Sequence, residues 1–340
     1  MKRFTTALAM VLTLAGAASA QTLINGAGAT FPGPMYSKWF SEYKKLHNNI
    51  QINYTANGSG AGIKGVTDGT LDFGGSDAIM DDGQLKEFRD KQGVGVLAFP
   101  TVMGAVVLTY HVAGVSGDLK LTPDAVAGIY LGKITKWNDP ALVKANPGVN
   151  LPKSDIVVVH RSDSSGTSFV FTDYLAKVSP EWKTKVGAKA AVDWPVGLGG
   201  KNSDGVAGLV QQQANSIGYV ELIFAVQNKM TYASIQNPAG AFVKPSLESV
   251  TAAAAAAAKT IPDDFRISIT NAPGKDSYPI STFTWLLIPE KIKDPAKQKA
   301  IVDFLTWMLK DGQAMAAPLT YSPLPKEVVD KEVKAIAKIK

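Results

Sequence analysis

Short apolar runs alternate along the chain with longer segments whose apolar positions recur every three or four residues. The first pattern marks strands and the second marks helices packed on one face. Leu23–Ala29 and Ile50–Tyr54 read as strands, each followed by a helix. The first helix carries Met35, Trp39, Phe40 and Tyr43 on one face, and the second runs through Ile63 and Val66. Leu71–Ala78 holds a brief strand ending in Ser76-Asp77. Gly93–Tyr110 is a long apolar stretch broken at Pro100 and Gly104, which predicts two buried strands with a crossing point between them. Leu121-Thr122-Pro123-Asp124 opens a helix, with Thr as its cap and Pro in its first turn. Val157–Val159 is a β-branched run and predicts a buried strand, and Ser168–Lys177 has helical spacing. Further along, a helix is expected over Val206–Gln213, a strand over Ile217–Leu222 and an apolar strand over Ser281–Ile288. The alanine run Ala252–Ala258 predicts a solvent-side helix, and Ala300–Leu309 and Val328–Ile339 predict amphipathic closing helices.

Strand and helix in alternation predict an α/β architecture with mainly parallel sheets. With 340 residues, the chain is long enough for about two domains. The apolar stretches near residue 103 and at Ser281–Ile288 are the expected passages between them. Residues 21–103 with 279–340 then form one domain, and residues 104–278 the other.

At three strand-to-helix junctions the sequence turns small and polar: Gly26–Pro32, Asn57–Gly62 and Arg161–Ser168. A helix start leaves backbone N–H groups unpaired and carries partial positive charge, so such a loop suits an anion. In the third loop Ser165 and Thr167 add hydroxyl donors, and Gly166 lets the backbone come close. Arg161 adds a cation with a planar donor fork. A single Gly/Ser cluster is usually a surface turn, but three at three helix starts point to one oxyanion clamp. Two α/β domains would present these loops at the carboxyl ends of their strands, facing a shared cleft. Asp77, beside small residues at a strand end, is either a cap for the next helix or a carboxylate of that cleft.

Composition narrows the function classes. Lys2 and Arg3, the apolar stretch Ala7–Ala15 and Ala18-Ser19-Ala20 form a secretory signal peptide over residues 1–20, so the mature chain is expected to begin at Gln21. Loss of Lys2 and Arg3 lowers the formal net charge from +6 to +4, a mild excess without the basic runs of a nucleic-acid binder. The chain has no cysteine, which excludes thiol catalysis, cysteine-ligated metal and a lipid anchor on cysteine. A dinucleotide site is disfavoured because Phe31 stands where the fingerprint needs a third glycine, and no GxxxxGK[ST] supports a nucleotide site at Lys201. An exported phosphatase or serine hydrolase using Ser165 is the rival enzyme reading. Only His47, His111 and His160 could serve as its base, and GxSxG and HExxH are both missing. His160 neighbours Arg161 on a strand, so its side chain is expected on the opposite face. No cofactor or metal is expected.

Four motifs carry a resemblance to a known family. Gly26-Ala27-Gly28-Ala29-Thr30-Phe31-Pro32, Asp72-Phe73-Gly74-Gly75-Ser76-Asp77, Ile129-Tyr130-Leu131-Gly132-Lys133-Ile134 and Arg161–Phe169 resemble the periplasmic phosphate-binding proteins, the solute receptors of ABC-type phosphate importers. The resemblance runs from about Leu23 to the closing helices. It implies a two-domain type II periplasmic binding protein fold with the ligand cleft between the domains. It also implies inorganic phosphate as ligand, a membrane permease/ATPase complex as partner, a soluble periplasmic monomer and no enzyme activity. Carried over by position, it implies phosphate ligands at Thr30, Phe31 (through its backbone N–H), Ser59, Asp77, Arg161, Ser165, Gly166 and Thr167, with Asp163 pairing Arg161. A receptor for another oxyanion on the same fold is the other alternative.

Phosphate at neutral pH carries at least one proton and sulfate carries none. An ionised Asp77 is an acceptor only, so it would take a hydrogen bond from phosphate and repel sulfate. Such a mismatch costs several kcal/mol, on the order of 10³-fold in affinity.

Overall fold

A computed structural model describes residues 21–115 and 117–340, and the expected signal peptide lies outside the described residues. The chain runs β1 (Thr22–Gly28), α1 (Gly33–Leu46), β2 (Ile50–Ala56), α2 (Ser59–Thr67), β3 (Phe73–Ser76), α3 (Asp82–Gln92) and β4 (Val96–His111). It continues β5 (Lys120–Leu121), α4 (Pro123–Tyr130), α5 (Pro140–Ala145), β6 (Val157–Arg161), α6 (Gly166–Val178), α7 (Pro180–Lys185), β7 (Leu198–Gly200) and α8 (Asn202–Gln212). The last part is β8 (Ser216–Glu221), α9 (Leu222–Gln227), β9 (Thr231–Tyr232), β10 (Ser234–Gln236), β11 (Phe242–Val243), α10 (Leu247–Ala258), β12 (Ser281–Pro289), α11 (Pro295–Lys310) and α12 (Lys326–Ile336).

The main sheet has the order β2-β1-β3-β12-β4-β8-β6-β7, with β9 pairing β4 to one side. Its outer parts are parallel, β2/β1/β3 at one end and β8/β6/β7 at the other. They are joined through antiparallel β12 and β4, so the sheet is mixed rather than mainly parallel. The first part of β4 pairs with β12 and its last six residues pair with β8. β4 therefore carries the chain from one half of the sheet to the other, and β12 returns beside it.

Gly93–Tyr110 does not split into two strands. Pro100, which cannot donate to a ladder, sits at an irregularity of register opposite Trp285, and the strand continues past it. Gly104 is needed for packing, since a Cβ there would lie 2.6 Å from the Phe31 ring. The alanine helix also differs from expectation. α10 packs on β4 and β12 and buries Val250, Ala253, Ala254 and Ala258, whose small side chains let it approach closely.

Glu332 lies on the buried face of α12 with Val328, Ala335 and Ile336, and neither carboxylate oxygen has a partner among the described residues. Burial holds its carboxyl well above the ordinary glutamate range. The folded chain thus keeps a proton there that the unfolded chain loses above about pH 4.3. Protonation favours the folded state, so stability falls as pH rises above that value. Thermal melts should show a decline from pH 5 to pH 8 that is shallower in Glu332→Gln, and parallel slopes in the two proteins would refute this.

Candidate functional site

The candidate residues meet where the two halves of the sheet face each other. Gly28 ends β1 at φ +141°, and a Cβ there would sit 2.0 Å from Gly75 O, so only glycine lets β1 turn tightly beside β3. Thr30 and Phe31 follow in the turn that leads into α1. Ser59 opens α2, and its Oγ accepts a hydrogen bond from the Asp77 amide at 3.1 Å. From the other half, Ser165 caps α6 by accepting from the Ser168 amide, and Gly166 and Thr167 form its first turn. All are buried.

The two sides touch. Gly60 N donates to Ser164 O at 3.1 Å, and Arg161 Nη1 donates to Thr30 Oγ1 at 3.1 Å. A Cβ added to Gly166 would lie 2.2 Å from Ser59 Oγ and 2.6 Å from Asp77 Oδ2. The cleft is therefore closed. A cavity of about 370 Å³ lies outside it, lined by Met80, Phe99, Arg266 and Trp285. The site is recognised by its chemistry rather than by its volume.

Arg161 ends β6 with its side chain 1% exposed. Nε and Nη2 donate to the two oxygens of Asp163 at 2.8 and 2.6 Å, a bidentate pair. Burial opposes the charge on both groups, but the pairing outweighs it, holding the Asp163 carboxyl below its ordinary range and raising Arg161 further. The Asn202 amide adds a bond to Asp163 Oδ1 at 3.1 Å. Nη1 stays directed at the cleft hydroxyls.

Asp77 is 1% exposed. Its Oδ1 accepts from Thr284 Oγ1 at 2.6 Å, and its buried Oδ2, which faces Gly166, has no partner among the described residues. Burial pushes its carboxyl up to about 8 in the closed arrangement, Glu221 adds to the rise, and Thr284 and Arg161 oppose it. Asp77 is not a helix cap. Asp81 caps α3, accepting from the Gln84 amide in a reciprocal capping box.

The matching family model, a PBP superfamily domain, covers residues 15–311. The phosphate-binding protein PstS of Xylella fastidiosa (strain Temecula1) is 47% identical over 92% of this chain and 84% of its own length. PstS of Pasteurella multocida is 45% identical over 94% of this chain and 91% of its own. The chain belongs to the PstS family. A high-affinity periplasmic phosphate-binding protein solved with phosphate bound shares the fold, with a TM-score of 0.74 at 23% identity, covering 92% of this chain and 93% of that one. The family fold is the two-domain type II periplasmic binding protein fold, with its cleft between domains. Its members are substrate receptors, so the rival reading of Ser165 as an enzyme nucleophile is not favoured.

All nine residues expected in the PstS-type site come together here. Phe31 enters differently from the rest. Its ring is core, 5.9 Å from the Tyr321 ring, and only its backbone faces a polar role. His160 lies away from the cleft, stacked on Trp194 with ring centroids 5.0 Å apart. Three residues of the site escaped the sequence reading. Ser203 lies in the first turn of α8, which begins four residues before the expected Val206. Glu221 ends β8, and Thr284 lies within β12. Gly197, Gly199, Gly200 and Gly205 are the sequence signal around Ser203. Glu221 and Thr284 sit inside apolar runs that read as core. Among the described residues, no cluster of His, Asp and Glu is placed to hold a metal ion, and no helix is long and apolar enough to cross a membrane.

Proposed function

We propose that this chain captures inorganic phosphate between its two domains in the periplasm and delivers it to a membrane permease/ATPase complex. Residues 21–103 with 279–340 form one domain and residues 104–278 the other. The first brings Thr30, the Phe31 amide, Ser59 and Asp77 to the ligand. The second brings Arg161, Ser165, Gly166 and Thr167, with Asp163 fixing Arg161. Export of a mature chain from Gln21 by residues 1–20, and action as a soluble monomer, belong to the same reading.

One observation carries the proposal: a buried carboxylate oxygen of Asp77 without a partner, set among donors. Donors alone would hold any oxyanion, whereas this acceptor suits one that brings a proton. Ser59 and Ser165 accept backbone amide hydrogens through Oγ, so neither hydroxyl proton is spent on those bonds. Ligand bridging the domains favours the closed form, which is the form a transporter can distinguish from the open one.

Calorimetric titration of Gln21–Lys340, stripped of ligand by unfolding and refolding, tests this. The expected result is 1:1 phosphate binding of micromolar strength or better, about −8 kcal/mol, with sulfate far weaker. No anion binding would overturn the receptor reading. Gly166→Ala should lower phosphate affinity about 100-fold by overpacking the closed cleft, since the added methyl meets Ser59 and Asp77 across it. Its thermal stability without ligand should stay near that of the wild type. Titration and melting together check this, and an unchanged affinity would mean that the domains do not close as seen.

A further inference from the structure

Glu221 is 1% exposed at the end of β8. Its Oε1 accepts from Thr167 Oγ1, and from Ser203 Oγ at 3.1 Å. Its Oε2 is buried with no partner among the described residues. Ser203 Oγ lies 2.8 Å from Thr30 Oγ1, across the cleft. Arg161 Nη1 donates to the oxygens of Thr30, Ser203 and Thr167 at 3.1, 3.1 and 3.4 Å.

A hydroxyl has one proton to give and a carboxylate has none. Thr167 and Ser203 both give theirs to Glu221. The Thr30 proton then goes to Ser203, whose own proton is already committed. All three hydroxyl protons thus run inward toward Glu221. Ser203 Oγ, which accepts from both Thr30 and Arg161, is saturated, and one oxygen lone pair is left on each of Thr30 and Thr167. Two carboxylates, Asp163 and Glu221, act on the guanidinium of Arg161, with Asp77 buried nearby, and Asp163 already occupies Nε and Nη2. An anion without a proton meets this excess negative charge and a set of partly reversed hydroxyls. An anion that brings protons can donate to them.

We propose that Glu221 is a specificity-determining positioning residue of the anion site: by holding the hydroxyl protons of Thr167 and Ser203 it biases the cleft toward protonated oxyanions. This rests on the phosphate-receptor reading and adds to the part played by Asp77. The residue does not touch the anion. It acts through Thr167, Ser203 and, by way of Ser203, Thr30.

Glu221→Gln keeps the shape and removes the charge, and with Nε2 in the place of Oε1 its two hydrogens face Thr167 and Ser203 and turn their protons toward the anion. Sulfate binding should strengthen about 10- to 100-fold relative to phosphate, the range of one hydrogen bond to a charged group. Ser203→Ala cuts the link between Thr30 and Glu221 and should move the ratio in the same direction by less. The pH profile separates this role from a structural one. In Glu221→Gln the sulfate affinity should rise at every pH while still weakening as pH increases, because Asp77 remains. Calorimetry with phosphate and sulfate at pH 6, 7 and 8 reads these effects, and melting curves establish folding. An unchanged phosphate-to-sulfate ratio in a folded Glu221→Gln that binds phosphate would overturn the role of Glu221. If Glu221→Gln does not fold, an unchanged ratio in Ser203→Ala overturns it instead. A wild-type chain that binds no phosphate would remove the receptor reading itself, a distinct outcome.

Discussion

Asp77→Asn should abolish most of the preference for phosphate over sulfate, on the order of 10³-fold at pH 7. The size follows from proton bookkeeping. In an open, hydrated cleft the Asp77 carboxyl has an ordinary value of about 3.9. Closure buries it and pushes it up to about 8, so at neutral pH the closed site needs one proton between Asp77 and its ligand. Phosphate brings that proton on its own oxygen. Sulfate does not, and Asp77 must take one from solvent, which at pH 7 costs about three pH units, or roughly 4 kcal/mol. Asparagine has an amide that donates at any pH, so sulfate would meet a donor where the wild type offers a carboxylate.

Proton uptake by Asp77 also sets the pH dependence. Wild-type sulfate affinity should weaken about tenfold for each unit of pH between roughly 5 and 8, because each unit makes proton uptake by Asp77 harder. The slope should vanish in Asp77→Asn. Calorimetric titrations of both proteins with both anions across this range give the answer. A ratio unchanged by Asp77→Asn, or a wild-type sulfate affinity indifferent to pH, would show that selection lies elsewhere.

Much of this site is legible in the chain, and for a physical reason. The strand–small loop–helix pattern is local: Thr30, Ser59 and Ser165 each stand beside the glycines that shape their loop and just before an amphipathic helix. Arg161 follows a β-branched run directly, so its position at a strand end can be read from its neighbours. Glu221 and Thr284 are different. Each ends or interrupts an apolar strand, and nothing near them in sequence shows that the strand passes under the cleft. Their roles depend on partners 54 residues away for the Glu221–Thr167 pair and 207 away for Thr284–Asp77. The continuity of β4 was hidden by the same limit. Pro100 and Gly104 are breakers by local rule, but a bulge opposite β12 absorbs the first, and the second makes room for Phe31. For α10, composition alone could not say that its alanines press on β4 and β12.

Arg161→Met should weaken phosphate binding by about 2–5 kcal/mol, roughly 30-fold to several thousand-fold. Methionine keeps much of the length and apolar stem and removes the charge and the fork. Two losses then combine. The anion loses the one guanidinium directed at the cleft, and Asp163 and Glu221 lose the cation between them. The second loss also acts without ligand. Arg161 contributes most to holding Asp163 below its ordinary range against its burial, so without Arg161 its carboxyl should rise. The variant should therefore be less stable than the wild type at neutral pH and recover part of the difference as acid protonates Asp163. Arg161→Lys separates charge from geometry. A lysine restores one positive charge but cannot form the bidentate bond to Asp163 while also reaching the cleft hydroxyls, so it should restore binding only in part. Phosphate titration of the three proteins, with melts at pH 5 and 7, distinguishes the contributions. Binding within tenfold of wild type in Arg161→Met would mean that the helix N-termini of α2 and α6 hold the anion largely without a cation, and the clamp would then be one of dipoles and hydroxyls alone.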